Sequence, residues 1–378
     1  MKILYIANAR IPTEKAHGLT IAKSCEAFAQ SDAEVTLVVP RRATHIAGDV
    51  FSAYDVKPVF NVRRLCTIDA FRWSDGRLAF FIQLATFYVS VFVFMLFHSR
   101  SEIVYTREAP LCALAFLGFS VFYECHHLPK RKVIFFWLAR RARGIIVISH
   151  ALERAFLGVE FSPERILVAP SGVDLAIFEK RVPQEDARHT LDLSPRVPIA
   201  VYTGNFTTFG EDKGISDIIT ALSYVLDVTF FAIGGSDADI TRYAKEAQSL
   251  EVSDRVILRG RAPQATLALA QQAADILLMP FPDTPHYRHH MSPVKMFEYM
   301  ASGRPIIASD LPTIREVLDD STAMIVPPGD PSAIAEAIKK LQADHTLASH
   351  LAAHAHTKVS KHYTWNKRAD TIISFIKN

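Results

Sequence analysis

Short apolar runs recur along the chain, and the stretches between them place apolar residues at helical spacing. That alternation is the pattern of a parallel sheet covered by helices on both faces. In the first half it predicts strands at Lys2–Ala7, Val35–Val39, Ile103–Tyr105, Val121–Glu124, Ile145–Ile148 and Ile166–Ala169. In the second half it predicts them at Ile199–Tyr202, Val228–Ile233, Val256–Leu258, Ile276–Met279, Ile306–Ala308 and Met324–Val326. Asp330-Pro331 caps a helix whose Ile334, Ala337, Ile338 and Leu341 share a face. The polar segment from about Phe178 to Pro198, with Pro183 and Pro195, lacks strong periodicity and reads as a linker. The expected organisation is an α/β chain of two doubly wound, Rossmann-like domains. Their expected bounds are 1–180 and 199–360, joined by a linker at 181–198, with a C-terminal helix at 361–378 returning to the first domain. Open α/β sheets bind ligands at the carboxyl ends of their strands, so the site is expected in a central cleft that the two domains face.

One run departs from the pattern. Leu78–Phe97 is almost wholly apolar and nearly long enough to span a bilayer, with Arg72, Arg77 and Arg100 flanking it. A strand-like run, Ile103-Val104-Tyr105, follows at once, so a span would split one α/β domain across a membrane. A long helix buried in, or lying against, the first domain is expected instead. With the second apolar run, Leu111–Phe122, it makes a hydrophobic first domain suited to peripheral contact with lipid.

Composition narrows the class. At 378 residues the chain exceeds one ordinary core. Its 49% hydrophobic and 21% charged residues describe a folded globular protein rather than a disordered one. A formal charge of +3 is too small to argue for nucleic acid. Cys25, Cys66, Cys112 and Cys125 are widely spaced with no CxxC pair, so neither a disulfide framework nor a zinc site is indicated. The opening run reads as a strand, without the features of a signal peptide. A cytoplasmic protein, associated with the inner face of the membrane, is expected.

The richest stretch chemically is Ser292-Pro293-Val294-Lys295-Met296-Phe297-Glu298, ending at Gly303. Ser292 suits an N-cap, Pro293 the first helical position and Gly303 the left-handed end. A helix N-terminus offers free N–H groups and a positive dipole end to a phosphate, and Lys295 adds a cation there. Glu298 lies three residues on, on the same face, where a carboxylate can accept hydrogen bonds from ribose hydroxyls. A second candidate cradle is Gly204-Asn205, at a strand end, with Lys213-Gly214 at the next helix start. Taken singly, each feature reads as an ordinary surface pair or turn; together in one domain they read as a nucleotide site.

These residues resemble retaining GT-B glycosyltransferases of the large family 4 group. The matching pieces are Gly204 with Lys213-Gly214, Phe231 to Gly235, Val256 to Gly260, Ala274-Asp275 to Pro280, and Ser292 to Pro305. In the first domain Tyr123-Glu124-Cys125-His126, Ile148-Ser149 and Pro170 to Asp174 also fit. The resemblance implies a GT-B fold and roles residue by residue. Lys213 would bind the donor diphosphate, with Gly204 and Asn205 beside it. Ser292, Pro293, Val294 and Lys295 would hold phosphate and the transferred sugar, and Glu298 the ribose. Backbone around Arg261 and Ala262 would meet the base. Gly18 would lie where acceptor and phosphate approach, and His126 near the donor sugar. His126, Lys213 and Lys295 are the expected catalytic residues.

Two departures stand out. His290 occupies the place of a glutamate that the family usually carries eight residues before the ribose-binding one. Asn205-Phe206 stand where an arginine often follows the glycine, which removes a charge-assisted phosphate contact. Arg288, His289 or His290 are candidates to replace it. The run from His286 to His290 has no helical ligand spacing, and no metal is expected.

The activity so implied is transfer of a sugar from a nucleotide-diphosphate sugar, UDP- or GDP-linked, to a glycan or lipid-linked acceptor in cell-envelope polysaccharide synthesis. No cofactor other than the donor is expected. Two alternatives stay open at this point: a sugar-nucleotide 2-epimerase of GT-B architecture, and a catalytically weak binding subunit that acts beside a partner chain.

Overall fold

A computed structural model describes all residues except 75, 130, 131, 180, 181 and 209. It divides into two compact units, Met1–Pro170 with Trp365–Asn378, and Ser171–Thr364.

The first unit is built on β1 (Lys2–Ile6), β2 (Glu34–Pro40), β3 (Asn61–Leu65), β4 (Ile103–Thr106), β5 (Ser120–Cys125), β6 (Gly144–Val147) and β7 (Ile166–Val168). They form one sheet in the order β3-β2-β1-β4-β5-β6-β7, and every pairing is parallel. The central strands are buried on both faces, which is why they read as unbroken apolar runs. β3 escaped the sequence pattern because it is an edge strand whose Arg63 and Arg64 face solvent. The chain reverses direction across the sheet at β1, which has β2 on one side and β4 on the other.

The long apolar segment is the helix Arg77–Met95. A stripe at every fourth residue, Ala79, Gln83, Phe87, Val91 and Met95, is buried. Leu78, Phe81, Val89, Val93 and the following Phe97 are exposed, Phe97 by 84%. The helix lies against the first unit on one face only. The final helix, Trp365–Lys377, packs on the first unit, burying Ala369, Ile372, Ile373 and Ile376 and setting Phe375 against Phe122. Its Arg368 donates to the carbonyls of Ala169 and Pro170.

The second unit contains β8 (Ile199–Thr203), a short hairpin of β9 (Thr207–Thr208) and β10 (Glu211–Asp212), then β11 (Thr229–Gly235), β12 (Val256–Gly260), β13 (Ile276–Met279), β14 (Ile306–Ser309) and β15 (Met324–Val326). The main sheet is parallel, in the order β12-β11-β8-β13-β14-β15, and it reverses at β8. Asp330 accepts from the Ala333 N–H, and Ile334, Ala337, Ile338 and Leu341 are buried as their spacing predicts.

The expected linker is not one. Residue 181 lies outside the described residues, but Gln184–Thr190 is a helix packed on the second unit. Its buried Arg188 donates to the carbonyls of Ala273 and Pro195 and to the Asp275 carboxylate at 2.5 Å. Asp275 also accepts from the Ile199 N–H at 2.6 Å, so the helix is clamped to the start of β8. The unit begins at Ser171, ahead of the expected boundary, because this segment joins its core through Val173, Phe178, Ala187, Leu191 and Leu193 as well as through the polar contacts of Arg188.

Replacing Arg188 by Ala strands the Pro195 carbonyl and removes the cation from Asp275, and should lower the second unit's stability by about 2 kcal/mol in a urea titration. A change within about 0.5 kcal/mol, the behaviour of a solvated linker residue, would contradict the clamp.

Candidate functional site

In the second unit the carboxyl ends of β8 and β13 meet the helix Val294–Ser302. Gly303 ends that helix in the left-handed conformation, as its place in the sequence predicts. Its start differs by one residue. The helix begins at Val294 with Pro293 in the N-cap position and no side chain capping it. The Ser292 hydroxyl instead accepts from the Ser171 N–H at 2.8 Å, while the Ser171 hydroxyl donates to the Ser292 carbonyl at 2.9 Å. A partner far away in sequence has taken the expected cap.

Lys295 is buried, and its Nζ has no hydrogen-bond partner among the described residues. It sits 3.4 Å from the centre of the Tyr202 ring and 5.6 Å from that of Phe281. A side chain at Gly204, in the turn after β8, would come within 3.5 Å of it. Burial drives its ammonium well below the usual lysine range, the charge of Lys213 pushes the same way, and Glu298 opposes both. Lys213 itself is pulled down to about 8 by desolvation. It precedes Gly214, whose φ of +88° and close approach to the Pro280 carbonyl oxygen leave no room for a Cβ. Asp212 secures this corner by accepting from the Ile215 and Ser216 N–H groups.

Glu298 is also buried, and burial pushes its carboxyl up to about 7 against the pull of Lys295. It accepts from Gln264 at 3.2 Å, at the start of the helix that follows the β12 loop. Arg261 lies exposed in that loop. Tyr299, next to Glu298, accepts from the Thr203 N–H at 2.7 Å and so fixes the helix to the end of β8. The structure therefore gathers Gly204, Lys213, Lys295 and Glu298 at one end of the sheet. Two desolvated ammonium groups repel each other there, an arrangement that a bound dianion relieves.

Asn205 contributes its carbonyl to the Tyr202 hydroxyl, and Phe206 is buried between Tyr202 and Tyr243. The position of the missing arginine is thus part of the apolar core. Arg288 does not replace it, because its guanidinium is paired with Asp283 on the surface.

The first unit builds a second cluster at the carboxyl ends of β1, β4 and β5. Gly18 lies in the first turn of the helix Ala16–Gln30, where a Cβ would fall 2.0 Å from the Tyr54 hydroxyl oxygen. That hydroxyl accepts from the Thr13 N–H and donates to the Thr13 carbonyl, pinning the loop after β1. His126 follows β5 and is half-buried, with Nε2 2.6 Å from Glu124 Oε1. Glu124 is fully buried and also accepts from Arg107 at 2.9 Å, Arg368 at 3.0 Å and the Tyr105 hydroxyl. The two guanidinium groups hold its carboxyl well below the usual range despite burial. Sequence reasoning did not assign Arg107, Gln264 or Arg368. Arg107 carried a usable signal, a cation directly after a buried strand; Arg368 carried none.

Residues 197–344 match the family described as glycosyl transferases group 1. A D-inositol 3-phosphate glycosyltransferase of Xylanimonas cellulosilytica is 28% identical over 56% of this chain and 50% of its own length. A phosphatidyl-myo-inositol mannosyltransferase of Mycolicibacterium smegmatis is 29% identical over 52% of this chain and 48% of its own. The chain spans about half the length of the curated relatives it matches. Among solved structures, Anabaena HepE in complex with UDP and glucose superposes with a TM-score of 0.77 at 16% identity, covering 100% of both chains. The two parallel-sheet α/β units are thus those of the GT-B fold.

The folded-state value of Glu298 lies above that of an exposed carboxyl, so the stability it confers is present at low pH and lost as pH rises through about 7. Glu298→Gln removes that loss. Its melting point should match the native chain near pH 4 and exceed it at pH 8, by up to about 3 kcal/mol in stability. A difference that does not change with pH would contradict the assignment.

Proposed function

We propose that this chain, whose residues 197–344 form a glycosyl transferases group 1 domain, is a retaining glycosyltransferase that draws on a nucleotide-diphosphate sugar. The observation that carries the reading is the buried Lys295 ammonium, without a hydrogen-bond partner among the described residues, set beside Lys213 and Glu298. Departure of the diphosphate leaves an oxocarbenium-like sugar, which the acceptor hydroxyl attacks on the same face. Negative charge develops on the leaving phosphate. Lys213, Lys295 and the uncapped helix start at Pro293-Val294 meet it with fixed charges and dipoles that need no reorganisation. Glu298, ionised, accepts from the ribose hydroxyls, and the loop at Arg261 meets the base, a uridine or guanosine.

The acceptor we assign is a lipid-linked glycan at the inner face of a membrane, as in envelope polysaccharide synthesis. Support comes from the outer surface of the first unit. Leu78, Phe81, Val89, Val93, Leu96 and Phe97 are exposed on or just after the long apolar helix. Val133, Ile134 and Trp137 are exposed on the helix Lys132–Ala139. Arg100, just past the first patch, donates to the Met95 carbonyl and stacks over Phe119. Arg141 stacks over Phe116 and Trp137. An apolar surface rimmed by arginines suits a bilayer that carries anionic lipid. One relative's name also specifies a phosphatidylinositol lipid acceptor.

Turnover of a panel of UDP- and GDP-sugars should identify one donor class, and Lys295→Ala should lower its kcat/KM by about 100-fold or more. Normal turnover by Lys295→Ala would overturn the catalytic reading. The native chain should float with vesicles containing anionic lipid, and the double substitution Phe81→Ser, Phe97→Ser should release it. Equal flotation of both proteins would remove the membrane assignment.

A further inference from the structure

The Glu124 cluster does more than balance charge. We propose that Glu124, clamped by Arg107 and by Arg368 of the C-terminal helix, fixes His126 as the neutral tautomer with the proton on Nε2, so that Nδ1 is a hydrogen-bond acceptor for a hydroxyl of the sugar substrate. The inference deepens the glycosyltransferase reading above and depends on it for the identity of the substrate.

The argument is one of donors and acceptors. An ionised carboxylate can only accept, so the His126 nitrogen 2.6 Å from Glu124 Oε1 must carry a proton. Glu124 stays ionised because two guanidinium groups reach the same oxygen, at 2.9 and 3.0 Å, and the Tyr105 hydroxyl donates to the other. The remaining question is whether Nδ1 carries a second proton. Burial and the nearby Arg107 pull the imidazole down to about 4, so at neutral pH it does not. Nδ1 has no hydrogen-bond partner among the described residues, and the side chain is 30% exposed. A lone pair on a rigid, partly exposed ring selects for a donor, and a sugar hydroxyl is one.

The arrangement assigns a positioning role to a residue far along the chain. Arg368 stands 244 residues from Glu124 and reaches it from the final helix. It also donates to the carbonyls of Ala169 and Pro170, so its guanidinium is held on three sides. Arg107 is held too, by Thr20 in the first helix. The ring is therefore aimed by groups that do not themselves touch substrate.

Two measurements test this. Nitrogen-15 NMR of histidine-labelled protein, with His126 identified by its loss in His126→Asn, reads the tautomer without any substrate. The expected result at pH 7 is a proton on Nε2 and none on Nδ1, persisting down to pH 5. A proton on Nδ1, or an imidazolium at pH 7, overturns the proposal.

The second is a double-mutant cycle of Glu124→Gln with His126→Ala, using variants shown to be folded at the assay temperature. Glu124→Gln should lower kcat roughly tenfold to a hundredfold, the reach of one hydrogen bond to a charged group, with KM for the donor little changed. In the His126→Ala background it should have little further effect, whereas additive losses would overturn the coupling. Arg368→Lys should retain more turnover than Arg368→Gln, and equal losses would refute the clamp. Failure of the native chain to bind any nucleotide sugar would sink the glycosyltransferase reading alone, leaving the tautomer measurement to stand or fall by itself.

Discussion

A lysine ammonium taken out of water without a hydrogen-bond partner costs folding free energy, and Lys295 is such a group. The second unit is arranged around that cost. The helix carrying Lys295 is tied to the end of β8 through Tyr299 and Thr203, and Tyr202 lies with its ring face beneath the ammonium. The face of an aromatic ring attracts a cation but does not replace water. The turn at Gly204 keeps side-chain atoms away from the same spot. On the proposed reading this burden is tolerated because a charge at Lys295, in low dielectric, acts strongly on an incoming anion.

The first unit handles buried charge in the opposite way. Glu124 is fully buried but completely engaged by two arginines, a histidine and a tyrosine. A carboxylate buried and then deprived of one partner is strongly destabilising, so the network also secures the last helix to the first sheet. Charge is satisfied in one unit and left without a hydrogen-bond partner at Lys295 in the other. Both clusters lie at carboxyl ends of strands near the points where the sheets reverse, the place open α/β sheets offer to ligands.

Most of the sheet was legible in the sequence because strands buried on both faces must be apolar. β3 was hidden by the exposed Arg63 and Arg64 of an edge strand. The helix Gln184–Thr190 was hidden because it is short and offers one small apolar anchor, Ala187, before Leu191, the rest of its hold coming from the buried Arg188. The spacing of Lys295 and Glu298 was readable, since three residues along a helix return to one face. The capping role of Ser292 was misread because its partner, Ser171, lies 121 residues away. Long-range polar contacts of that kind leave no local pattern, and the assembly of Glu124 with Arg107 and Arg368 is the clearest case.

The most direct test of the central claim is calorimetric titration of the native chain with UDP and GDP at pH 8, repeated in two buffers of different ionisation enthalpy. At that pH Glu298 is already largely ionised, since its carboxyl titrates near 7, while Lys213, near 8, is short of a full proton. Binding of a diphosphate beside Lys213 should therefore draw protons from the buffer, and Lys295→Met should lose most of the affinity. Undiminished binding by Lys295→Met would show that the buried ammonium is not where the phosphate goes, and binding with no proton uptake would place the phosphate away from Lys213.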